Sequence, residues 1–511
     1  MKDPQHDPQH DVIADDIHTL HQLGYAQELA RRMSGFSNLA ISLSIICILA
    51  GGLTSFHLGF ATVGGAAIGL GWPIVCLFSL VVALTMGQVA SAFPTAGGLY
   101  HWAAILGGRG WGWTTAWFNL AGLVTVLAAI NVGTFQFFVG AFAPAWGEQP
   151  WAQALGVSLI TLTQAAINHL GIRTTTRLTD FSGYWILAIS VVLTIALLWC
   201  APSWNAGRLA TWDNFSGLPA DAPVWPAAES LWGLFALGFL LPAYTITGFD
   251  ASAHVSEETV GAALNVPRGI VRSVWMSGVF GWVMICAIVI AMPDLRAGAE
   301  QGGNVVVWTM RATLPNWLHH GLCAGIVVAQ YLCGLATVTS ASRMAYAFAR
   351  DGGLPCSSRL RRVCPRFRTP DAAIWTVAIL AVSFTLYTPV YGTITAVCTI
   401  FLYVSYVLPT AIGLATYGRS WKRFGPWRLG AWYRPLAALS VLGCVALIVI
   451  GMQPPNERAI WVVGGVCGLL AAGWWLGARR HFPGPPVGVL SMQRQAEIYS
   501  AEEAVQQEHL P

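Results

Sequence analysis

Charged side chains are scarce in this sequence. Asp, Glu, Lys and Arg together make up 10% of 511 residues, against 55% apolar residues, 24 Trp and a mean hydropathy of +0.58. A soluble globule of this length needs more polar surface than that, so the chain reads as an integral membrane protein. A basic amino-terminal region with a small-residue cleavage site is also missing. "MKDPQHDPQHDVIADD" is polar and acid-rich, and the first hydrophobic run is therefore expected to be retained as a span. Eleven Cys is an odd number, and most, such as Cys47, Cys286, Cys333 and Cys467, lie inside apolar runs; a disulfide framework is not expected. No Lys falls in any apolar run, which excludes a lysine as surrogate cation. The net charge of +4 implies no nucleic-acid partner.

What is present is a succession of apolar runs of about twenty residues, the length that crosses the hydrocarbon as a helix. Twelve spans are expected, near 36–60, 72–91, 112–140, 152–170, 181–201, 231–253, 270–291, 321–342, 372–389, 393–417, 435–452 and 460–477, the ninth and tenth parted only by "TPVYGT". With the amino terminus inside, 23 of the 27 Lys and Arg residues fall on the cytoplasmic side and 4 outside. Both termini are therefore expected in the cytoplasm, with "SRMAYAFARDGGLPCSSRLRRVCPRFR" as the most strongly retained loop. The expected organisation is a tail over 1–34, a membrane domain over 35–480 and a second tail over 481–511. Both tails read as unstructured or marginally helical and too small for a catalytic domain. The outer loops are likewise too short for a folded enzyme. No enzyme activity and no cofactor is expected, and any chemistry sits among the helices.

Two spans carry helix-breaking residues. The first contains "ICILAGGLTSFHLGF", with Gly51 and Gly52 adjacent and Thr54, Ser55 and His57 following. Two glycines cost roughly 1 kcal/mol each in helix propensity and allow a backbone or ligand to approach closely. The sixth contains Pro242 and then "TITGFDASAHVSEET". First and sixth are equivalent members of two five-helix halves, the pattern of an inverted-repeat transporter whose paired broken helices bind substrate and ions at the midplane. The competing reading of Gly51–Gly52 is a packing contact. A carboxylate such as Asp250 at membrane depth is costly and needs a partner or a wet cavity; the alternative is a helix cap. Glu257 and Glu258 are expected at the cytoplasmic surface as a gate or loop anchor, with Arg343 and Arg350 as partners. His57 and His254 read as hydrogen-bonded structure before proton relays.

Four stretches together resemble the amino acid–polyamine–organocation superfamily of permeases, and within it the amino acid/choline branch that includes GABA and choline permeases. They are "GFSNLAISLSIICILAGGLTSF", "GQVASAFPTAGGLYHWAA", "TGFDASAHVSEETVGAALNVPRGIVRS" and "SASRMAYAFARDGGLP". The resemblance implies an all-α, LeuT-like five-plus-five inverted repeat with two extra helices, working by alternating access. It places the substrate site on the backbone of Ala50, Gly51, Gly52, Leu53 and Thr54 and of Thr247, Gly248, Phe249 and Asp250, with Phe249 as a thin gate. Amide N–H groups at the start of a half-helix suit a carboxylate, and free carbonyls with Asp250 suit an amine. Gln88 stands where relatives commonly have Glu, which leaves a proton-relay role there in doubt.

Coupling is open between a proton, which the resemblance favours, and sodium, for which Thr339 and Ser340 are candidate hydroxyl ligands; those hydroxyls equally suit bonds to their own backbone. The leading expectation is a plasma (inner) membrane importer of a small amino acid such as GABA. A choline, ethanolamine or polyamine carrier is second, and needs aromatic faces such as Tyr244, Phe249, Trp117 and Trp185 to converge. A membrane sensor or channel is third. Oligomeric state is not legible.

Overall fold

The computed structural model of the protein describes residues 8–147, 149–387, 391–454, 456, 458–486 and 492–507. Among the described residues every regular element is helical. Nine of these helices are long and apolar enough to cross a membrane: Gly35–Thr54, Ala67–Ala92, Arg109–Phe142, Ile172–Cys200, Ala262–Ala291, Asn316–Arg350, Ile394–Thr416, Gly430–Gly451 and Ala459–His481. The other three expected spans are helical too, as Pro150–His169, as Asp371–Tyr387 and as the interrupted pair Leu231–Gly238 and Leu240–Thr245. Helix therefore stands at all twelve expected places. The expected boundary in "TPVYGT" falls at residues 388–390, outside the described residues.

The first, third, sixth, eighth and tenth spans form the centre, and small residues bring their backbones together. A Cβ on Gly122 would stand 2.7 Å from Leu402, and one on Gly51 would stand 2.9 Å from the Cα of Thr245. The eleventh and twelfth spans are peripheral, with Leu442, Trp461, Leu469 and Leu476 exposed to the lipid side, which agrees with two helices added outside a five-plus-five core.

Both expected breaks are present, one of them displaced. In the first span the helix stops at Ile46, resumes at Gly51–Thr54 and restarts at Phe56–Val63, so the interruption is Cys47–Ala50, just before the glycine pair. Cys47 has φ 7° and ψ 91°, outside helical geometry. In the sixth span the helix stops at Thr245 and restarts at Ala251–His254, leaving Ile246–Asp250 unwound, with Gly248 at φ +83°. A side chain at Gly248 would both strain that backbone and place its Cβ against Ile45.

Two expectations need correction. The eighth helix continues unbroken to Arg350, so Arg343 and Arg350 belong to a span rather than a loop. Glu257 and Glu258 are fully buried instead of lying at the surface. The tails hold helices, Pro8–Gln22 and Met492–Gln507, that dock on the basic face. Glu502 accepts a hydrogen bond from the Gln27 N–H and pairs with His21 at 2.7 Å. Asp16 accepts from the N–H groups of Gly261 and Ala262, at 2.7 and 3.1 Å, capping the seventh span. Burial pushes the Asp16 carboxyl above its ordinary value, against the pull of Arg31 and those two amides.

Candidate functional site

The unwound segment of the first span is covered by the eighth. Gln330 donates from Nε2 to the Leu49 carbonyl at 2.9 Å, and the Cys333 thiol reaches the Ile45 carbonyl at 3.4 Å. On the other side the Ser42 hydroxyl donates to the Phe249 carbonyl and accepts from the Ser252 N–H, tying the Gly35–Ile46 half of the first span to the Ala251–His254 half of the sixth. Ala50 ends the break, and its carbonyl accepts from the Thr54 N–H and hydroxyl. Among the described residues the amides of Gly52 and Leu53, at the start of the resumed helix, meet no backbone carbonyl. The absence of a side chain at Gly51 is what lets the first and sixth spans touch. A Cβ at Gly52 would point elsewhere, 3.7 Å from Trp72 and Met284, so a side chain there would meet the second and seventh spans. Leu53 is buried in the core.

Asp250 is fully buried and its carboxylate meets side chains from three spans. Tyr406 of the tenth span donates to Oδ1 at 2.8 Å. Asn119 of the third donates to Oδ2 at 3.0 Å, and His254 stands 3.2 Å from the same oxygen. The Tyr406 hydroxyl also accepts the Gly248 N–H at 3.0 Å, so one residue holds both the break and its carboxylate. Thr247 turns its hydroxyl back to the Tyr244 carbonyl. Phe249 packs on Tyr406 with ring centroids 4.9 Å apart and is fully buried.

A cavity of about 530 Å³ lies on the face opposite the basic loops, bordered by Thr54, His57, Gln136, Gln153, Asn304 and Tyr391. A second, of about 240 Å³, adjoins it at Gly392 and is bordered by Tyr244, Thr395 and Thr399. Neither is lined by a charged side chain among the described residues. Thr54 and Tyr391, hydrogen bonded at 2.7 Å, form the floor between the larger cavity and the first break. Tyr244 meets Tyr391 edge-on with centroids 6.4 Å apart.

The opposite end is closed by two buried ion pairs. Arg343 reaches Glu258 at 3.1 and 3.3 Å, and Arg350 reaches Glu257 at 2.9 and 3.0 Å. Glu257 also accepts the Ala96 N–H at 3.0 Å. Behind them Asp351 accepts from Tyr25 and Tyr100 and stands 3.0 Å from His101.

The structure separates other residues that the sequence grouped. Thr339 donates to Asn168 of the fourth span at 2.7 Å, away from the first, whereas Ser340 is buried with no partner for its hydroxyl. Trp185 donates to the Gly325 carbonyl between the fifth and eighth spans, and Trp117 packs on Trp113 and Phe348, so these two do not join Tyr244 and Phe249 in a cage. Gln88 accepts from the Leu429 N–H at 2.7 Å. Sequence reasoning passed over Asn119, Tyr391 and Tyr406. The signal available for Asn119 was an amide within an otherwise apolar run, "WFNLAG".

Residues 33–466 match the family described as amino acid permease. The sequence is 33% identical over 507 residues to amino-acid permease BAT1 of Arabidopsis thaliana, covering 92% of this chain and 96% of that protein. It is 32% identical over 505 residues to a BAT1 homolog of Oryza sativa subsp. japonica, covering 91% and 94%. A Candida albicans protein provisionally named a polyamine transporter is 26% identical over 463 residues, with 87% and 81% covered.

Proposed function

Because this chain belongs to the amino acid permease family, we propose that it imports a small zwitterionic amino acid, such as GABA, across the plasma membrane by alternating access and with proton coupling. Both termini are cytoplasmic in this reading, which the 23-to-4 division of basic residues supports.

The observation that carries it is the pair of abutting breaks, Cys47–Ala50 and Ile246–Asp250, set between a cavity on one face and two buried ion pairs on the other. One pathway is open down to Thr54 and Tyr391 while the other is shut, the asymmetry that alternating access needs. The substrate binds on the backbone from Ala50 to Thr54 and from Thr247 to Asp250 once the floor parts. The unpaired amides of Gly52 and Leu53 suit its carboxylate.

Neutral cavity walls favour a molecule of no net charge over a polyamine, which enters more readily along carboxylates. A quaternary amine is disfavoured because Trp117 and Trp185 are engaged by Phe348 and by the Gly325 carbonyl and do not join Tyr244 and Phe249 in a cage. Engagement of Thr339 by Asn168 weighs against a sodium site with Ser340.

Uptake by proteoliposomes of GABA, the proteinogenic amino acids, choline, ethanolamine and putrescine, each with an acid-outside or a sodium gradient, tests the reading. Accumulation of a zwitterion driven by the acid gradient is expected. Accumulation of putrescine or choline alone, or of any substrate by sodium alone, would replace it.

A further inference from the structure

Asp250 and His254 lie one helical turn apart, and both are fully buried. The two ring nitrogens of His254 both face acceptors: Nε2 is 3.2 Å from Oδ2 of Asp250, and Nδ1 is 3.2 Å from the carbonyl of Ala96. A neutral imidazole carries one N–H and satisfies one acceptor. Satisfying both requires a second proton, either on the ring or on Oδ2 of Asp250, where it points back at Nε2. The proton count is the same in either case and belongs to the pair.

We propose that His254 and Asp250 together bind the transported proton, and that Ala96 passes the state of this pair to the inner gate. The proposal rests on the proton-coupled transport reading above. Among the described residues His254 is the only basic side chain within ion-pair distance of Asp250. The other ionisable neighbours are committed: Tyr406 donates to Oδ1, Arg350 holds Glu257 beyond Ala96, Arg343 holds Glu258, and His101 across the loop faces Asp351.

When the proton leaves, Asp250 is charged and one N–H remains for a carboxylate and a carbonyl. The charge-assisted bond is roughly twice as strong, so the N–H stays with Asp250. The Nδ1 lone pair then opposes the Ala96 carbonyl, and the loop moves away. That loop has no slack. A Cβ on Gly98 would stand 3.3 Å from the His254 ring, and one on Gly97 would stand 2.7 Å from the His101 ring. The Ala96 N–H is bonded to Glu257, so its displacement loosens the Glu257–Arg350 pair. Proton release thus accompanies opening toward the cytoplasm. Since the closed form binds one proton more, acid favours closure, and the closed-to-open ratio changes by up to about tenfold per pH unit.

Amide hydrogen exchange of the full chain in lipid nanodiscs, without any ligand, tests this from about pH 5.5 to about pH 8.5 after correction for the intrinsic rate. Exchange at 93–101 and 255–261 is expected to rise at least about tenfold toward high pH, and His254→Gln is expected to abolish that dependence. A wild-type profile that is flat, or a His254→Gln profile that keeps the wild-type slope, overturns the proposal. In proteoliposomes given the substrate found by the uptake panel, His254→Gln should lose acid-driven accumulation while counterflow persists; retained accumulation also overturns it. If the wild type proves sodium-driven, the coupling reading fails by that result, and the exchange profile alone still decides whether His254 controls the gate.

Discussion

Arg343 meets Glu258 through two contacts, Nη2 to Oε1 at 3.1 Å and Nε to Oε2 at 3.3 Å, and neither side chain is exposed. The sixth and eighth spans are thereby joined at the closed end of the pathway. Removing one partner leaves the other charged and buried, which costs about 3–5 kcal/mol. Glu258→Ala and Arg343→Ala are each expected to lower stability by that amount and to slow transport. The charge-swapped double variant, Glu258→Arg with Arg343→Glu, should retain more activity than the two reversals made singly predict. Thermal unfolding and uptake of the wild type, the two single reversals and the swapped protein measure the coupling, and strictly additive losses would remove the pair from the gate.

The two glycines of the first span are expected to differ. A Cβ at Gly51 falls 2.9 Å from the Thr245 backbone, whereas one at Gly52 finds ordinary contacts at 3.7 Å. Gly51→Ala should therefore abolish transport at normal membrane abundance. Gly52→Ala should transport within about twofold of wild type, since a methyl there meets its neighbours at ordinary contact distance and Gly→Ala at a compatible site shifts stability by only about 0.4–1 kcal/mol, in the favourable direction. Equal sensitivity of both would contradict the placement.

Cys47 is a free, buried thiol within the first break. It lies below the Thr54–Tyr391 floor, so its reaction with a small thiol reagent reports on that floor. Tyr391→Phe removes a hydrogen bond with a net value of about 1 kcal/mol. Modification of Cys47, followed by mass spectrometry, is expected to become about fivefold faster. An unchanged rate would mean that aromatic packing against Tyr244 closes the floor by itself.

For topology, a cysteine in place of Gly484 should resist impermeant maleimide added to sealed cells and react after permeabilisation. Gly484 follows the last span and packs against Arg109, on the basic face. Reaction in sealed cells would place both ends outside.

The long apolar runs and the break in the sixth span were legible because membrane insertion leaves few alternatives: a run of about twenty apolar residues must be helical, and the β-branched residues and glycine of "TITGFD" are poor helix formers that supply the freedom a break needs. The break in the first span was legible only to within a few residues. Gly51–Gly52 marks where two backbones touch, and the chain unwinds just upstream, at Cys47–Ala50, where side chains from the eighth span take over the carbonyls. The burial of Glu257 and Glu258 was hidden for a similar reason. Their charge suggests water, and their partners lie 85 and 93 residues away on a helix that the hydropathy pattern ends too early. Separations of 131 and 156 residues from Asp250 likewise concealed Asn119 and Tyr406: each is one polar residue in an apolar helix until the fold aims both at that carboxylate.

Glu502 accepts from the Gln27 amide and pairs with His21, so the helix Met492–Gln507 is latched to the segment around His21 and Gln27, on the face closed by the two buried ion pairs. The same segment reaches the ion pairs, with Gln27 donating to the Glu257 carbonyl and Arg31 to those of Ser256 and Thr259. The helices Pro8–Gln22 and Met492–Gln507 therefore form a clasp across this face, and it can widen only as far as the clasp slides or lets go. A fluorophore pair carried on the two terminal helices would move with it, turning each opening of the gate into a change in transfer efficiency.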